Sequence, residues 1–311
     1  MPDKSEKVIV DVDGHRLALS NLTKNLYPEA GFSKGEVIDY YTRIAPVLLP
    51  HLADRPLTVK RYPNGVDAPF FCEKNAPRGT PSWVRTVTLP VPGSTKDRET
   101  IDFVVVQELP TLVWLANLAA LELHVPQWRI PPRARKPRTD LVVFDLDPGP
   151  PATIVECCEV ALALRALLEE DGRTAVAKTS GSKGMQLSVP VEVDDPDVTS
   201  AYAQALARRL EADHPDLVVS RMSKSLRPEK VFVDWSQNNP AKTTVAPYSL
   251  RARPSPTVST PLTWDEVESR WPLSFTAQEV LARVDEHGDL FAAVLEDGNR
   301  SRLTRSAVTD R

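Results

Sequence analysis

The stretch "LVVFDLDPGP", residues 141–150, decides how this chain is read. It opens as a buried strand, four apolar residues in a row, and then sets two aspartates two positions apart. Side chains alternate along a strand, so Asp145 and Asp147 share one face, while Val142, Phe144 and Leu146 share the other. Two carboxylates side by side at the end of an apolar strand repel each other and lose solvation. The pattern predicts a cation between them.

Two further stretches point to the same kind of site. In "KVFVDWSQN", residues 230–238, Phe232 and Asp234 face one side and Val231 and Val233 the other. Three carboxylates on two strands suit a pair of Mg²⁺ or Mn²⁺ ions, which prefer oxygen ligands. Such ions activate an attacking hydroxyl and neutralise a departing pyrophosphate. A D-x-D pair alone also fits capping aspartates or a surface calcium. In "TSGSKG", residues 179–184, small residues around Gly181 and Gly184 let backbone N–H groups turn toward an anion, with Lys183 as a point charge. The segment is not a Walker A loop and also fits an ordinary hairpin turn.

Around these stretches, strands and helices alternate, which predicts an α/β or α+β fold. "KVIVDVDGHRLALS" reads as a strand pair. Ser33 and Glu36 form a capping box for a helix whose apolar face is Ile38, Tyr41, Ile44, Ala45 and Leu48. "PLTVKRYPNGV" reads as a strand with a turn at Asn64-Gly65. An almost wholly apolar helix is expected over 108–121, an amphipathic one from Ile154 to about Glu170, another over "VTSAYAQALARRLEADHP", and C-terminal helices around 264–269 and 276–296. No linker forces a domain boundary. One domain is expected, with an N-terminal lobe over about 1–135, a catalytic core over about 136–260 and a C-terminal helical segment over about 261–311.

Composition narrows the class. Length, 311 residues, allows a large core, and 41% hydrophobic and 26% charged residues are ordinary for a soluble globular protein. No signal peptide and no span long enough to cross a membrane is read, so a cytoplasmic protein without membrane contacts is expected. Three cysteines without a C-x-x-C pair support neither a zinc ribbon nor a disulfide framework. Net charge is −4 but unevenly spread: residues 1–140 carry 19 Lys+Arg against 16 Asp+Glu, leaving 19 against 26 for the rest. Within the acidic half, 221–253 holds seven basic residues against Glu229 and Asp234. "RIPPRARKPR", 129–138, holds five and no acid. Basic patches on an acidic background fit a localised polyanion track, though each segment alone also fits a solvated loop.

"LVVFDLDPG", "TSGSKGM", "KVFVDWSQN" and "KTTVAPYSLR", in that order and spacing, resemble the polymerase domain of bacterial ligase D, in the archaeo-eukaryotic primase superfamily. The likeness runs from about Asn21 through "LPHLADRPLTVKRYPNGVDAPFFCEK" and "ALELHVPQW" to beyond Arg251. It implies a primase-polymerase catalytic core with an RRM-like sheet beside an N-terminal sheet lobe. No ligase or phosphoesterase domain is read in the sequence, so a stand-alone primase-polymerase is expected.

Carried over position by position, the resemblance implies that Asp145, Asp147 and Asp234 bind two catalytic metals, Mn²⁺ or Mg²⁺. Ser180 and Lys183 would hold the incoming triphosphate, with Lys60, His124, Gln237 and Arg251 around the nucleotide. Phe70 and Phe71 would stack on bases. Asn21, Lys24 and Lys34 would receive the 5′-phosphate on the downstream side of a gap, and Arg227 would lie on a mobile loop near the site. The implied partners are gapped or broken double-stranded DNA, NTPs or dNTPs, and a DNA ligase or end-joining proteins.

Two departures stand out. Gln186 occupies a position where the family usually has histidine, so weaker triphosphate binding, or compensation by a neighbouring Arg or Lys, is expected. The loop around "VPGSTKDRET", 91–100, also differs from the ligase D form, which bears on bridging of DNA ends. Two other classes remain open. A D-x-D phosphatase would release phosphate from small phosphoesters, but its pattern continues with Gly-Thr where Pro148-Gly149 stands here. A non-catalytic gap- or end-binding protein would need no divalent metal.

Overall fold

In a computed structural model of the chain, residues 7–91, 99–130, 137–271 and 273–305 are described. The basic run at 131–136 and most of the "VPGSTKDRET" loop lie outside them. The described chain divides into two compact units, and it does not divide where the sequence was expected to. The first unit runs to Val125 and takes back Tyr248–Val258 and Thr276–Gly288; the second holds Pro126–Pro247, Ser259–Phe275 and the residues from Asp289 onward. The expected C-terminal helical segment is therefore shared between the units rather than a body of its own. Nothing in the linear sequence marks these crossings, because they follow burial and not composition.

In the first unit the helix Lys34–Leu52 starts on the predicted box: the Ser33 hydroxyl accepts from the Glu36 N–H, and Glu36 reaches back to the Ser33 N–H. Its apolar face, with Tyr40 and Tyr41, is buried against the helix Leu109–Asn117. The two tyrosine hydroxyls donate to the carbonyls of Tyr248 and Leu121. The strand Thr58–Arg61 lies antiparallel between Phe71–Glu73 and Ala120–Val125. The apolar helix expected over 108–121 is shorter than its hydropathy suggests. It stops at Asn117, Ala119 takes a left-handed conformation (φ 59°), and the remaining apolar residues form a buried strand. A continuous apolar run does not distinguish a buried helix from a buried strand. The helix expected over 276–296 is likewise cut to Ala277–His287, ended by Gly288 at φ 68°.

The second unit is built on strand–helix–strand–strand–helix–strand: Leu141–Pro148, Ile154–Glu170, Val176–Thr179, Met185–Glu192, Asp197–Asp213 and Val231–Asp234. In the sheet, Leu141–Pro148 lies between Val231–Asp234 and Met185–Glu192, and Val176–Thr179 lies beyond the latter. The pairings among these four are antiparallel. This is the ferredoxin-like, RRM-like arrangement that was expected. Val142, Phe144 and Leu146, with Val231 and Val233, form the buried face under the two helices. The opposite face is left for chemistry.

Candidate active site

Sheet register sets four side chains in one row. Asp234 lies opposite Asp145, Asp145 opposite Gln186, and Gln186 opposite Lys178. Directly opposed residues share a face, and Asp147, opposite Phe232, lies on it too. The three predicted carboxylates thus share one face of the sheet. Asp145 Oδ1 accepts from Gln186 Nε2 at 3.0 Å. Asp234 Oδ1 accepts from the Ser236 N–H at 3.0 Å and from the Ser236 hydroxyl, and its Oδ2 from Gln237 Nε2 at 2.9 Å. Gln237, expected beside the nucleotide, here steadies the third carboxylate. Lys242 in turn donates to the Ser236 hydroxyl. Lys183 Nζ stands 3.7 Å from Asp147 and donates to the Pro148 carbonyl.

Burial pushes the Asp145 carboxyl up to about 6 against the hydrogen bond from Gln186; the charges of Asp147 and Asp234 push the same way, and Lys178 opposes them. An all-oxygen, mutually repelling donor set is what a hard divalent cation relieves. Among the described residues no group of three or more His, Cys, Asp and Glu side chains closes on one point, the Asp234 oxygens being turned to Ser236 and Gln237. The site fits a divalent cation in donor type and charge.

The turn 179–184 differs from the expected anion cradle. The N–H of Gly181 goes to the Thr179 hydroxyl, and those of Ser182 and Gly184 to the Ser180 hydroxyl, so the turn satisfies these donors itself. Gly184 is needed for proximity. A Cβ on Gly184 would meet the Leu146 carbonyl oxygen at 2.2 Å, and one on Gly149 the Arg227 carbonyl oxygen at 1.9 Å. Backbone cannot swing aside as a side chain can. Gly184→Ala is expected to cost about 3 kcal/mol, read from urea unfolding; a loss within about 0.5 kcal/mol, the usual range for a neutral surface change, would show that the turn yields.

Arg227 lies over the Phe232 ring, 3.8 Å from its centroid, and donates to the Met222 carbonyl. Its segment is tied to the end of the D-x-D strand, the Gly149 N–H donating to the Lys230 carbonyl.

In the first unit, Lys60, His124 and Arg251 meet on a carboxylate that sequence reasoning passed over. Glu122 Oε2 is 2.9 Å from Lys60 Nζ and from His124 Nε2; Oε1 is 3.3 Å from Arg251 Nε and accepts from the Ala252 N–H. Burial works against the Glu122 charge, but the His124 hydrogen bond and the charges of Arg251 and Lys60 outweigh it, holding the carboxyl well below its ordinary range. Burial also lowers His124. The available signal was a lone glutamate two residues before His124 in the largely apolar "ALELHV". Phe70 and Phe71 are 50% and 57% exposed, outside the core. Phe70 also stacks on Tyr62, with Lys60 5.7 Å from the Phe70 centroid.

Asn21, Lys24 and Lys34 come together through backbone. Asn21 is left-handed (φ 54°), and the Lys34 N–H donates to the Lys24 carbonyl. The Lys24 ammonium donates to Asn64 Oδ1 at 3.0 Å, while that of Lys34 is buried and donates to the Ser20 carbonyl at 2.6 Å. Burial, then the Lys24 charge, lowers Lys34 to about 8.

Residues 33–291 match the family described as "LigD, primase-polymerase domain". The chain is 45% identical over 283 residues to the multifunctional non-homologous end joining protein LigD of Mycolicibacterium smegmatis, covering 91% of this chain and 36% of that protein. It is 32% identical to the bifunctional non-homologous end joining protein LigD of Bacillus subtilis, covering 88% and 43%. The chain thus spans well under half the length of these relatives. Among solved structures, the polymerase domain from Mycobacterium tuberculosis ligase D in complex with DNA superposes with a TM-score of 0.85 at 42% identity, covering 91% of this chain and 99% of that one. An RRM-like sheet with a carboxylate row defines the class, that of nucleotidyltransferases of the primase-polymerase kind. The chain belongs to the LigD primase-polymerase domain family. Among the described residues no helix is long and apolar enough to cross a membrane.

Proposed function

We propose that this chain is a template-directed polymerase that extends a primer 3′-hydroxyl with NTPs, preferring ribonucleotides, at gaps or broken DNA ends. Membership of the family and its end-joining relatives support a role in end-joining repair. The observation that carries the chemical reading is the Asp234–Asp145 pair with Asp147 on one sheet face. These three residues would hold divalent ions, Mg²⁺ or Mn²⁺, which supply charge neutralisation at the attacking hydroxyl and the leaving pyrophosphate. The chain's own residues do the positioning. Lys183, beside Asp147, offers a flexible cation to phosphate oxygens. The cation group around Glu122 suits a polyphosphate, and the exposed Phe70 and Phe71 suit base stacking.

Asn21, Lys24 and Lys34 suit a terminal 5′-phosphate. Phosphate contact favours charged Lys34, so binding takes up a proton once pH exceeds about 8. The preference for 5′-phosphorylated over unphosphorylated gaps is therefore expected to fall as pH rises from 7 to 9, and Lys24→Ala to weaken binding to the phosphorylated gap more than to the other. Titrations by fluorescence anisotropy check both. A preference flat in pH and equal losses with Lys24→Ala would remove these lysines from phosphate recognition.

The decisive experiment is primer extension on a short gapped duplex with Mn²⁺ or Mg²⁺, NTPs against dNTPs, for the wild type and the Asp145→Ala/Asp147→Ala variant. Extension by the wild type alone, stronger with NTPs, is expected. Failure to extend under either metal, with gap binding intact, would leave a DNA-gap-binding protein instead.

A further inference from the structure

Gln186 stands in the carboxylate row with no charge of its own, and it can serve Asp145 in only one of two orientations. A primary amide has a donating and an accepting end that exchange when it flips by half a turn. Flipped, it would set its carbonyl oxygen against the Asp145 carboxylate, acceptor against acceptor. What selects the useful orientation lies on the other side. Lys178, next in the row, donates to Gln186 Oε1 at 2.6 Å, and its ammonium carries no acceptor, so an amide NH₂ cannot face it. The same ammonium donates to the Ser259 hydroxyl at 2.7 Å and to the Val245 carbonyl at 3.0 Å, which anchor it independently of Gln186. Lys178 is 3% exposed and Gln186 4%, so water does not replace either partner. In low dielectric a donor chain of this kind, ammonium to amide to carboxylate, polarises along its length.

We propose that Lys178 is a positioning residue for the carboxylate site: it locks the Gln186 amide with its NH₂ toward Asp145, so that the carboxylate is presented in one orientation to a divalent cation. The proposal rests on the nucleotidyltransferase reading and adds to it the device by which a glutamine serves in this row. A glutamine here depends on Lys178. A histidine in the same place would present a ring N–H to Asp145 without needing a second cation to orient it.

That dependence is testable as a cycle: wild type, Lys178→Met, Gln186→His, and the double variant. Mn²⁺ affinity is measured by electron paramagnetic resonance without DNA or nucleotide, and folding by circular dichroism and thermal melts. Loss of an outer partner of a metal ligand typically costs ten- to a hundredfold in affinity. Lys178→Met is expected to weaken Mn²⁺ binding at least about tenfold when residue 186 is glutamine. With Gln186→His in place, the loss is expected to shrink to within about threefold. A purely structural role for Lys178 predicts the same loss in both backgrounds, and that result, or no loss in either, would overturn the proposal while leaving the polymerase reading intact. Absence of Mn²⁺ binding by the wild type would overturn both.

A second measurement needs no change at Lys178. In protein labelled with ¹⁵N at glutamine, the Gln186 side-chain NH₂, assigned by its loss in Gln186→His, is expected to be protected from solvent exchange and to shift on addition of Mg²⁺. Exchange at the rate of a free amide would overturn the proposal.

Discussion

Asp145→Asn is expected to make the metal-free protein more stable and, on the proposed polymerase reading, to reduce primer extension by on the order of 10³-fold or more. The two effects have one cause. Asp145 sits partly buried beside Asp147 and Asp234, and its carboxyl is pushed up to about 6 by burial and by those neighbours. An ordinary aspartate in the unfolded chain titrates near 4. Between those values the folded protein holds more protons than the unfolded one, so stability of the metal-free protein falls as pH rises from about 4 to about 6, and the deficit persists at neutral pH. A raise of about two units corresponds to roughly 3 kcal/mol. Asparagine keeps an oxygen to accept from Gln186 Nε2 and removes the charge. Melts in EDTA at pH 7 are therefore expected to show Asp145→Asn higher by several degrees, with the pH 4–6 decline of the wild type flattened. A variant no more stable than the wild type would mean that the carboxylates are already neutralised by the chain's own cations, and that the row is not strained toward an ion.

Glu122→Gln has the opposite sign and a comparable size. This buried carboxylate answers Lys60, His124 and Arg251 at once. An amide supplies one accepting atom where the carboxylate supplies two, and no charge, so at least one cation is left without its counter-charge. Breaking a buried pair from one side costs about 3–5 kcal/mol. Urea unfolding at pH 7 is expected to show a loss in that range. Because the folded Glu122 carboxyl lies well below its unfolded value, its contribution is present above about pH 4.5 and is lost as pH falls through the depressed value. Glu122→Gln should therefore differ less from the wild type in strong acid than at neutral pH. A loss under about 1 kcal/mol would show that Lys60, His124 and Arg251 are held by other contacts and that Glu122 is not their anchor.

Much of this was legible in the chain itself. Alternation in "LVVFDLD" gave the two faces of the central strand, since strand geometry forces side chains two apart onto one side. The Ser33–Glu36 box marked its helix start because both reciprocal hydrogen bonds are local. Where a stretch is almost wholly apolar, as in 108–121, local pattern carried no information on helix against strand, and the turn at Ala119 decided it. The glycines of "TSGSKG" were legible as special, but the reason was not. Gly184 allows close approach to another strand, Gly181 takes a left-handed φ of 65°, and the N–H groups of Ser182 and Gly184 are satisfied within the turn.

By itself, then, the sequence determined which residue types carry the chemistry and which side of each strand they occupy, because both follow from identity and a period of two. Only tertiary structure decided that Asp234, Asp145, Gln186 and Lys178 form a single row, and that Glu122 gathers Lys60, His124 and Arg251. Register between strands distant in sequence is set by packing of their buried faces, and no property of any one strand encodes it. Lys178 and Glu122 each stand as a single charged residue in a largely apolar strand. Their partners, supplied by neighbouring strands and by residues near 251, make them the hinges of the two constellations.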